Sequence, residues 1–371
     1  MRFRTAPLRD ENGRTNEMTP HGRPKVLIYR PVDESGESHR RLADAGCTVV
    51  AEELDLDRAR LLAAAPDAAA LVGATFRGGL IDREILESFP ELRIVAKYTI
   101  GIDDVDLDAA TALGILVTHC PTEANWGGVA EGTIALMLAF LKRVGPRDRH
   151  VKAGGWRDKG LEGVYVGRRA DGYPGLTIGI IGLGRAGSRV ARLLGPWGVR
   201  LLATDPYVDE ARFVELGVTR TDLHTLLRES DVVTIHASLT AETRGMIDAN
   251  ALASMKPHAL LINTARGAIV DLDALCDALE GGRLAGAALD VFSEEPPPPG
   301  ARILALGDKV ILSPHMVAAN QGGTLKAAIP WATDAVLAAL RSEVPENVCN
   351  PEALERWRRR FGHRPLLPSA I

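Results

Sequence analysis

Short apolar runs alternate with amphipathic helical stretches along most of the chain, and this alternation limits the possible folds more than any other feature. Alternating strands and helices are typical of a parallel sheet covered by helices on both faces. The strand-like runs form two series: KVLIY, CTVV, AALVG, LRIVA and GILVT, then TIGII, VRLLA, DVVTIH, ALLIN, AGAALD and VILSPH. We therefore predict an α/β protein with two doubly wound parallel-sheet domains, which 371 residues can form at roughly 150 residues per domain.

A long helical stretch, GGVAEGTIALMLAFLKR, separates the two series, and another follows the second series at residues 321–340. If that last stretch packs onto the first sheet, the first domain is discontinuous. The first 24 residues are polar and lack the apolar core of a secretory signal. The predicted boundaries are a disordered tail at 1–24, a first domain at 25–124 plus about 316–350, a second domain at 125–315, and a basic C-terminal tail at 351–371.

The charge balance and the cysteine pattern argue against several classes of function. The net charge is −4, from 44 basic and 48 acidic residues, so no global field favours nucleic acid or an anionic membrane. The longest strongly apolar stretch, Thr133–Leu141, is shorter than the roughly 20 residues that span a bilayer. The four cysteines lie at least 73 residues apart, unlike zinc-finger or CxxC cysteines. We expect no metal, and reduced thiols in a cytoplasmic protein.

Three glycines form a GxGxxG pattern between the apolar run TIGII and the helical run SRVARLL: Gly182, Gly184 and Gly187. In this strand–turn–helix setting, glycines let the backbone approach a pyrophosphate at the positive end of the helix. Without that setting the pattern is weak, because glycines often only make turns. The sequence predicts a dinucleotide-binding loop here.

An acidic residue, Asp205, follows the next strand-like run, 18 residues beyond Gly187. A carboxylate at this place accepts hydrogen bonds from both hydroxyls of a ribose. The alternative is that Asp205 only caps a turn before Pro206. No basic residue adjoins it in the sequence, the nearest one after it being Arg212, so we predict NAD rather than NADP.

Three polar residues follow strands of the second series: Arg266 after ALLIN, Glu295 after AGAALD, and His315 at the end of VILSPH. Because ligands bind at the carboxyl ends of strands in open α/β sheets, we expect these side chains to converge. The alternative for each is structural, with Glu295 pairing with Arg266 and His315 capping a helix.

The chain resembles the D-isomer-specific 2-hydroxyacid dehydrogenases from about residue 25 to 350. The segments KYTIGIDDVDLDAA, NWGGVAEGTIALML, TIGIIGLGRAG, LTAETRGMI, LINTARGAIVD, GAALDVFSEEP and SPH occur in that family's order. The resemblance implies a Rossmann NAD-binding domain, a flavodoxin-like substrate domain and a homodimer. It also implies hydride transfer between NAD and a small anionic substrate, a D-2-hydroxy acid or its 2-oxo acid.

Carried over residue by residue, the resemblance makes Arg266 the substrate anchor, His315 the acid–base and Glu295 the carboxylate paired with that histidine. Such roles agree with the chemistry of an arginine fork, which binds a carboxylate, and of an imidazole oriented by a carboxylate. The implied cofactor residues are Arg185, Ala186, His236, Thr243, Thr264 and Asp290, beside the glycines and Asp205. The implied substrate loop is Thr99, Ile100 and Gly101, through its backbone N–H groups. His236 could equally be a core histidine with one hydrogen bond.

Six positions depart from the family pattern or lie near the expected cleft. Thr99 stands where glycine is usual and Asp104 where asparagine is usual, so we expect a narrowed or re-polarised substrate pocket. Met316 and Val317 either crowd the nicotinamide or line that pocket. Arg77 and Lys97 either hold a second anionic group, such as a phosphate, or are solvated surface charges.

The sequence therefore predicts an NAD-dependent oxidoreductase for a small acidic 2-hydroxy or 2-oxo acid. Two alternatives stay open. The same residues could act on a hydroxyphosphonate or phosphite-like anion, since an arginine and a backbone nest bind either. The chain could also be an NAD(H)-sensing binding protein of the co-repressor type, because such proteins retain the same residues.

Overall fold

The computed structural model describes residues 22–369, with gaps at 31, 32, 34, 52–55, 77, 322 and 324. It forms two compact units. The split unit combines the residues up to Thr122 with those from Leu325 onward, and the continuous unit is Glu123–Thr324. The predicted tail at 1–24 lies outside the described residues apart from 22–24, and so does the prediction for Arg77.

The described elements occur in the predicted alternation. The strands are β1 (Lys25–Arg30), β2 (Thr48–Ala51), β3 (Ala68–Gly73), β4 (Ile94–Lys97), β5 (Leu116–Thr118), β6 (Thr177–Ile181), β7 (Arg200–Thr204), β8 (Thr219–Arg220), β9 (Val232–Ile235), β10 (Leu260–Asn263), β11 (Gly286–Leu289) and β12 (Val310–Leu312). The α-helices are α1 (Glu37–Asp44), α2 (Arg58–Ala64), α3 (Arg83–Glu87), α4 (Leu107–Leu113), α5 (Glu123–Leu141), α6 (Val144–Lys152), α7 (Arg185–Leu194), α8 (Glu210–Leu216), α9 (Leu223–Glu229), α10 (Ala249–Ser254), α11 (Leu272–Glu280), α12 (Ile329–Leu340) and α13 (Leu354–Phe361).

The split unit contains a five-stranded parallel sheet in the order β2-β1-β3-β4-β5. This is the order of flavodoxin-like sheets. All six residues of β3 are buried, as expected for a central strand covered on both faces. One face packs on α12, whose Ala332, Val336 and Leu340 are fully buried. This helix begins at Ile329, later than the predicted stretch at 321–340.

The C-terminal segment is folded into the split unit, so the prediction of a tail at 351–371 is wrong for the residues that are described. Just before this segment, Cys349 N–H donates to the carbonyl of Val117 in β5 at 2.8 Å. Trp357 of α13 is fully buried and donates its indole N–H to the carbonyl of Arg93 at 3.1 Å. The segment therefore completes the core.

The basic residues of this segment bind backbone carbonyls at the end of α4. Arg356 donates to the carbonyls of Thr111 and Ala112 at 3.4 and 3.3 Å, and Arg360 donates to the carbonyl of Leu113. The last carbonyls of a helix lack intrahelical partners and carry partial negative charge, which favours arginine there. The arginines of the predicted basic tail therefore cap the C-terminal end of α4.

The continuous unit contains a seven-stranded parallel sheet in the order β12-β11-β10-β9-β6-β7-β8. The order reverses at β6, the first strand of the unit, as in a Rossmann sheet. The prediction of two doubly wound parallel sheets is confirmed. The two-residue strand β8 is too short to give a sequence pattern, and it was not predicted.

Residues 316–323 belong to the continuous unit, although the sequence analysis assigned them to the first domain. Val317 donates its N–H to the buried carboxylate of Asp290 and packs on Gly132 of α5.

Helix α5 is long and apolar enough to cross a membrane, but the core helices of globular proteins often have the same length and composition. Its Ala130, Met137 and Leu141 are buried in the core of the continuous unit.

We expect Trp357→Ala to lower the free energy of unfolding by about 3–5 kcal/mol, because it removes a large buried side chain and one of the two hydrogen bonds that the Arg93 carbonyl accepts, the other coming from Leu116 N–H. Urea unfolding followed by circular dichroism measures the change. The exposed Val214→Ala is the control, with an expected change within about 0.5 kcal/mol. Equal stabilities of the two variants would mean that the segment is an accessory tail after all.

Candidate active site

The glycine loop follows β6 and packs tightly against its surroundings. Gly182 has a φ of 88°, and a Cβ there would lie 2.7 Å from the backbone nitrogen of Ala237, so only glycine fits. A Cβ at Gly187 would lie 2.0 Å from the carbonyl oxygen of Gly182, so α7 begins directly against the loop. At Gly184 a Cβ would meet nothing within 4 Å. The loop therefore exposes backbone at the start of α7, where Arg185 is exposed and Ala186 half-buried.

Asp205 lies beside this loop at the end of β7. One carboxylate oxygen accepts the N–H of Leu183 at 2.8 Å, and the other accepts the N–H of Tyr207 at 3.0 Å. Each oxygen keeps a lone pair for a further donor. The guanidinium of Arg220 lies 3.5 Å from the Asp205 carbonyl and pairs with Glu210. Arg220 was not predicted as a neighbour of Asp205, because the two residues are 15 positions apart and only the pairing of β8 with β7 brings them together.

The turn that carries Arg266 is held by the buried side chain of Asn263, the last residue of β10. Asn263 accepts the N–H of Ala265 at 3.0 Å and donates to the carbonyl of Arg266 at 2.9 Å. The guanidinium of Arg266 donates to the Ala265 carbonyl at 2.7 Å and is half-buried. Asn263 was not predicted as a site residue, although its position at the end of an apolar strand is a signal for it.

A close backbone approach joins this turn to the segment that carries Glu295. A Cβ at Gly267 would lie 2.0 Å from the carbonyl carbon of Phe292, so any other residue would push the two segments apart. Glu295 accepts the N–H of Phe292 at 2.9 Å through one carboxylate oxygen. The backbone thus fixes Glu295 next to the turn of Arg266.

The second oxygen of Glu295 accepts a hydrogen bond from Nδ1 of His315 at 2.7 Å. This hydrogen bond raises the pKa of His315 above its ordinary value of 6.5, and it outweighs burial, which acts to lower that pKa. Burial acts to raise the pKa of Glu295, but the hydrogen bonds from His315 and Phe292 outweigh it and lower that pKa. The charge of Arg266 favours the charged form of Glu295 and disfavours that of His315. The geometry therefore favours a carboxylate–imidazolium pair.

Asp290 positions the backbone of His315. The N–H of His315 donates to the Asp290 carbonyl at 2.8 Å, and its φ of 54° lies in the left-handed region that few side chains adopt. The buried Asp290 carboxylate accepts the N–H groups of Met316 and Val317 at 2.9 and 3.1 Å. These bonds hold the turn, and the Met316 side chain remains 59% exposed.

The other predicted cofactor residues lie in the same unit with mixed environments. The Nε2 of His236 lies 3.0 Å from the hydroxyl of Thr234, and its Nδ1 is buried with no hydrogen-bond partner among the described residues. Burial lowers the pKa of His236 to about 4. Thr243 donates to the carbonyl of Ser238 at 2.7 Å and closes an exposed turn. The buried hydroxyl of Thr264 lies 3.0 Å from that of Thr133 on α5.

The predicted substrate loop lies in the split unit, directly after β4. The three carbonyls of the loop all accept hydrogen bonds. The carbonyl of Thr99 accepts the N–H of Cys120 at 3.1 Å. The carbonyl of Ile100 accepts from Nδ1 of His119 at 3.1 Å, and the carbonyl of Gly101 accepts from the Thr99 hydroxyl at 2.7 Å. Within the described part of the chain, the N–H groups of Thr99, Ile100 and Gly101 make no hydrogen bond. The loop therefore presents donors and turns its acceptors inward.

Lys97 matches neither of its predicted roles. Its side chain is fully buried and forms a 2.5 Å ion pair with Asp104, so it is neither a surface charge nor a cation open to a phosphate.

The continuous unit brings together the dinucleotide loop, Asp205, Arg266, Glu295 and His315, while Thr99–Gly101 lie in the other unit. Among the described residues, no three His, Cys, Asp or Glu side chains cluster as a metal site would require.

The chain is similar in sequence to proteins of one enzyme family. Residues 134–317 match the family model for the D-isomer specific 2-hydroxyacid dehydrogenase, NAD binding domain. A glyoxylate reductase of Korarchaeum cryptofilum is 37% identical over 340 residues, covering 90% of this chain and 98% of the relative. A D-3-phosphoglycerate dehydrogenase of Mycobacterium tuberculosis is 37% identical over 79% of this chain. The chain spans only 53% of that relative, about half of its length.

The solved structure of a D-lactate dehydrogenase from Aquifex aeolicus, complexed with NAD and lactic acid, has the same fold. It superposes with a TM-score of 0.77 at 29% identity, covering 88% of this chain and 99% of that one.

We expect the pKa of His315 to lie above 6.5 and to fall in Glu295→Gln, because the amide cannot stabilise an imidazolium. The pair's contribution to stability is present above the ordinary Glu295 pKa of 4.5 and is lost as pH rises through the raised pKa of His315. Titration of ¹³C-labelled histidines by NMR measures the pKa, with His315→Ala to assign the signal. An unchanged pKa in Glu295→Gln would contradict the assignment of its cause.

Proposed function

Because the chain belongs to the D-isomer-specific 2-hydroxyacid dehydrogenase family, we propose that it interconverts a small acidic D-2-hydroxy acid and its 2-oxo acid with NAD. The observation that carries this proposal is the 2.7 Å hydrogen bond between His315 and Glu295, next to the turn of Arg266. A half-exposed imidazole that is oriented by a carboxylate and lies beside an arginine suits proton transfer on an anionic substrate.

The hydrogen bond to Glu295 decides which nitrogen of His315 does the chemistry. A carboxylate only accepts, so Nδ1 of His315 carries a proton and Nε2 of the neutral ring is the acceptor. In the oxidation direction Nε2 takes the proton of the substrate hydroxyl, and Glu295 stabilises the resulting imidazolium. In the reduction direction the same nitrogen returns the proton to the C2 oxygen.

Arg266 and the loop at Thr99–Gly101 are the proposed anion-binding groups. The guanidinium of Arg266 can bind the substrate carboxylate in a bidentate manner and polarise the C2 oxygen. The N–H groups of the loop, which have no acceptor in the described chain, can likewise bind a carboxylate. Because Lys97 is buried and paired with Asp104, it is not a binding group for a second anionic group of the substrate.

The residues of the continuous unit fit a nicotinamide dinucleotide, which supplies hydride transfer to and from C2 when bound. The open space in front of Gly184, at the start of α7, suits a pyrophosphate. The free lone pairs of Asp205 suit the ribose hydroxyls of NAD and repel the 2′-phosphate of NADP. Thr264 and the Nδ1 of His236, which has no partner among the described residues, are proposed to contact the cofactor as well.

We also propose a cytoplasmic homodimer. Five large apolar side chains between residues 144 and 165 are 43–74% exposed in the continuous unit. An exposed apolar surface of this kind is characteristic of an interface.

We expect the wild type to oxidise NADH with glyoxylate, hydroxypyruvate or a related 2-oxo acid. His315→Ala should lower kcat/KM by about 10²–10⁴-fold and leave the Kd for NADH unchanged, because only proton transfer is lost. Arg266→Lys should lower kcat/KM by about 10²–10³-fold, because lysine lacks the planar fork. Steady-state kinetics and fluorescence titration with NADH measure both.

The control is His224→Ala, an exposed histidine on α9, with wild-type kinetics expected. Near wild-type turnover in His315→Ala would overturn the mechanism. NADH binding with no turnover across the panel would favour the NAD(H)-sensing role, and turnover restricted to phosphonate or phosphite substrates would favour the other alternative.

We expect a higher kcat/KM with NADH than with NADPH, and we expect Asp205→Asn to reduce this preference by about tenfold, equivalent to about 1.4 kcal/mol. The substitution removes the charge that repels a 2′-phosphate and keeps an oxygen that can accept one of the backbone N–H groups. A wild type that prefers NADPH would overturn the assignment of Asp205 as the residue that determines the cofactor.

A further inference from the structure

Lys97 and Asp104 stand at the two ends of the loop that contains Thr99, Ile100 and Gly101. Lys97 is the last residue of β4, and its ammonium lies 2.5 Å from Oδ2 of Asp104. The two side chains are 0% and 9% exposed. This ion pair therefore joins the start of the loop to its end across six intervening residues, and it is shielded from the screening that weakens surface pairs.

The ammonium of Lys97 has a full set of acceptors from the protein. Besides Asp104, it donates to the hydroxyl of Tyr29 at 3.0 Å and to the carbonyl of Ala74. An ammonium has three protons to donate, and these three acceptors come from β1, from the segment after β3 and from the end of the loop. The Tyr29 hydroxyl also donates to the Ala74 carbonyl at 3.2 Å. These hydrogen bonds join three segments of the split unit.

Asp104 extends the same cluster to the neighbouring segment. Its Oδ2 accepts the N–H of Phe76 at 2.6 Å, and its backbone carbonyl accepts the N–H of Ile81 at 2.8 Å. The far end of the loop is thus fixed to the segment after β3 at two points. An asparagine could accept from Phe76 but could not neutralise Lys97.

We propose that Lys97 and Asp104 are positioning residues for the substrate carboxylate. The ion pair fixes the separation of the loop ends, while Cys120, His119 and the Thr99 hydroxyl hold its carbonyls inward. Together these contacts direct the three N–H groups toward one anion before it binds. The inference rests on the proposed function, because it takes that loop as the carboxylate site.

Stability and positioning can be separated with a double variant. Lys97→Met or Asp104→Asn alone leaves an uncompensated buried charge and should lower the Tm. Lys97→Met/Asp104→Asn leaves no buried charge, and its asparagine can still accept from Phe76, so the Tm should recover. If the pair positions the loop, the double variant should still show a KM for glyoxylate raised about tenfold or more. Its kcat should change by less than about threefold, because the chemistry is intact.

Two further measurements make the result specific. The Kd of oxalate, measured by isothermal titration calorimetry on the NADH complex, should rise by the same factor as KM, whereas the Kd of NADH should not change. Val95→Ala, a buried residue two positions before Lys97 on β4, is the matched control. It should lower the Tm and leave the KM and the Kd of oxalate at wild-type values.

A double variant with restored Tm and wild-type affinity for glyoxylate and oxalate would overturn the inference and leave the proposed function standing. A raised KM in Val95→Ala would also overturn it, since any destabilised sheet would then have this effect. A wild type that neither turns over 2-oxo acids nor binds oxalate would overturn the proposed function, and this inference with it.

Discussion

The parallel strands β10, β11 and β12 end side by side, and the hydrogen bonds just beyond them determine the rest of the candidate site. Asn263 pairs in register with Leu289, and Leu289 with Leu312. The ladder continues one step past the strands, where Asp290 N–H donates to the Asn263 carbonyl and Ser313 N–H to the Leu289 carbonyl. Three turns therefore start from one edge of the sheet, which places their side chains next to one another.

Each turn is then fixed by side chains that are themselves buried. Asn263 holds the turn of Arg266, and Asp290 holds the turn after His315. Because the supporting groups bond to backbone, the functional side chains are free to meet a ligand while their attachment points are rigid. Groups arranged in this way before a ligand arrives need little reorganisation when charge moves, which is the usual source of electrostatic catalysis. The loop after β4 follows the same principle in the other unit.

The features that the sequence predicts correctly depend on local pattern and on rules of parallel sheets. Alternating apolar runs indicate the strands, and the common edge of those strands brings Glu295 to His315. Lys97 was misjudged because the burial of a charge depends on acceptors from three other segments, among them Tyr29 and Ala74. The C-terminal arginines were misjudged for a related reason. Their partners are carbonyls at the end of α4, and a carbonyl has no signature in the sequence.

The split unit has a consequence for the order in which the chain can fold. Its sheet is made from the N-terminal segment, but Trp357 and α12, which complete its core, belong to the last part of the chain. On the ribosome, Glu123–Thr324 can fold as soon as it emerges, whereas the sheet synthesised first must wait with one apolar face only partly covered, by α1. The part of the protein that is synthesised first is thus the last to complete its core.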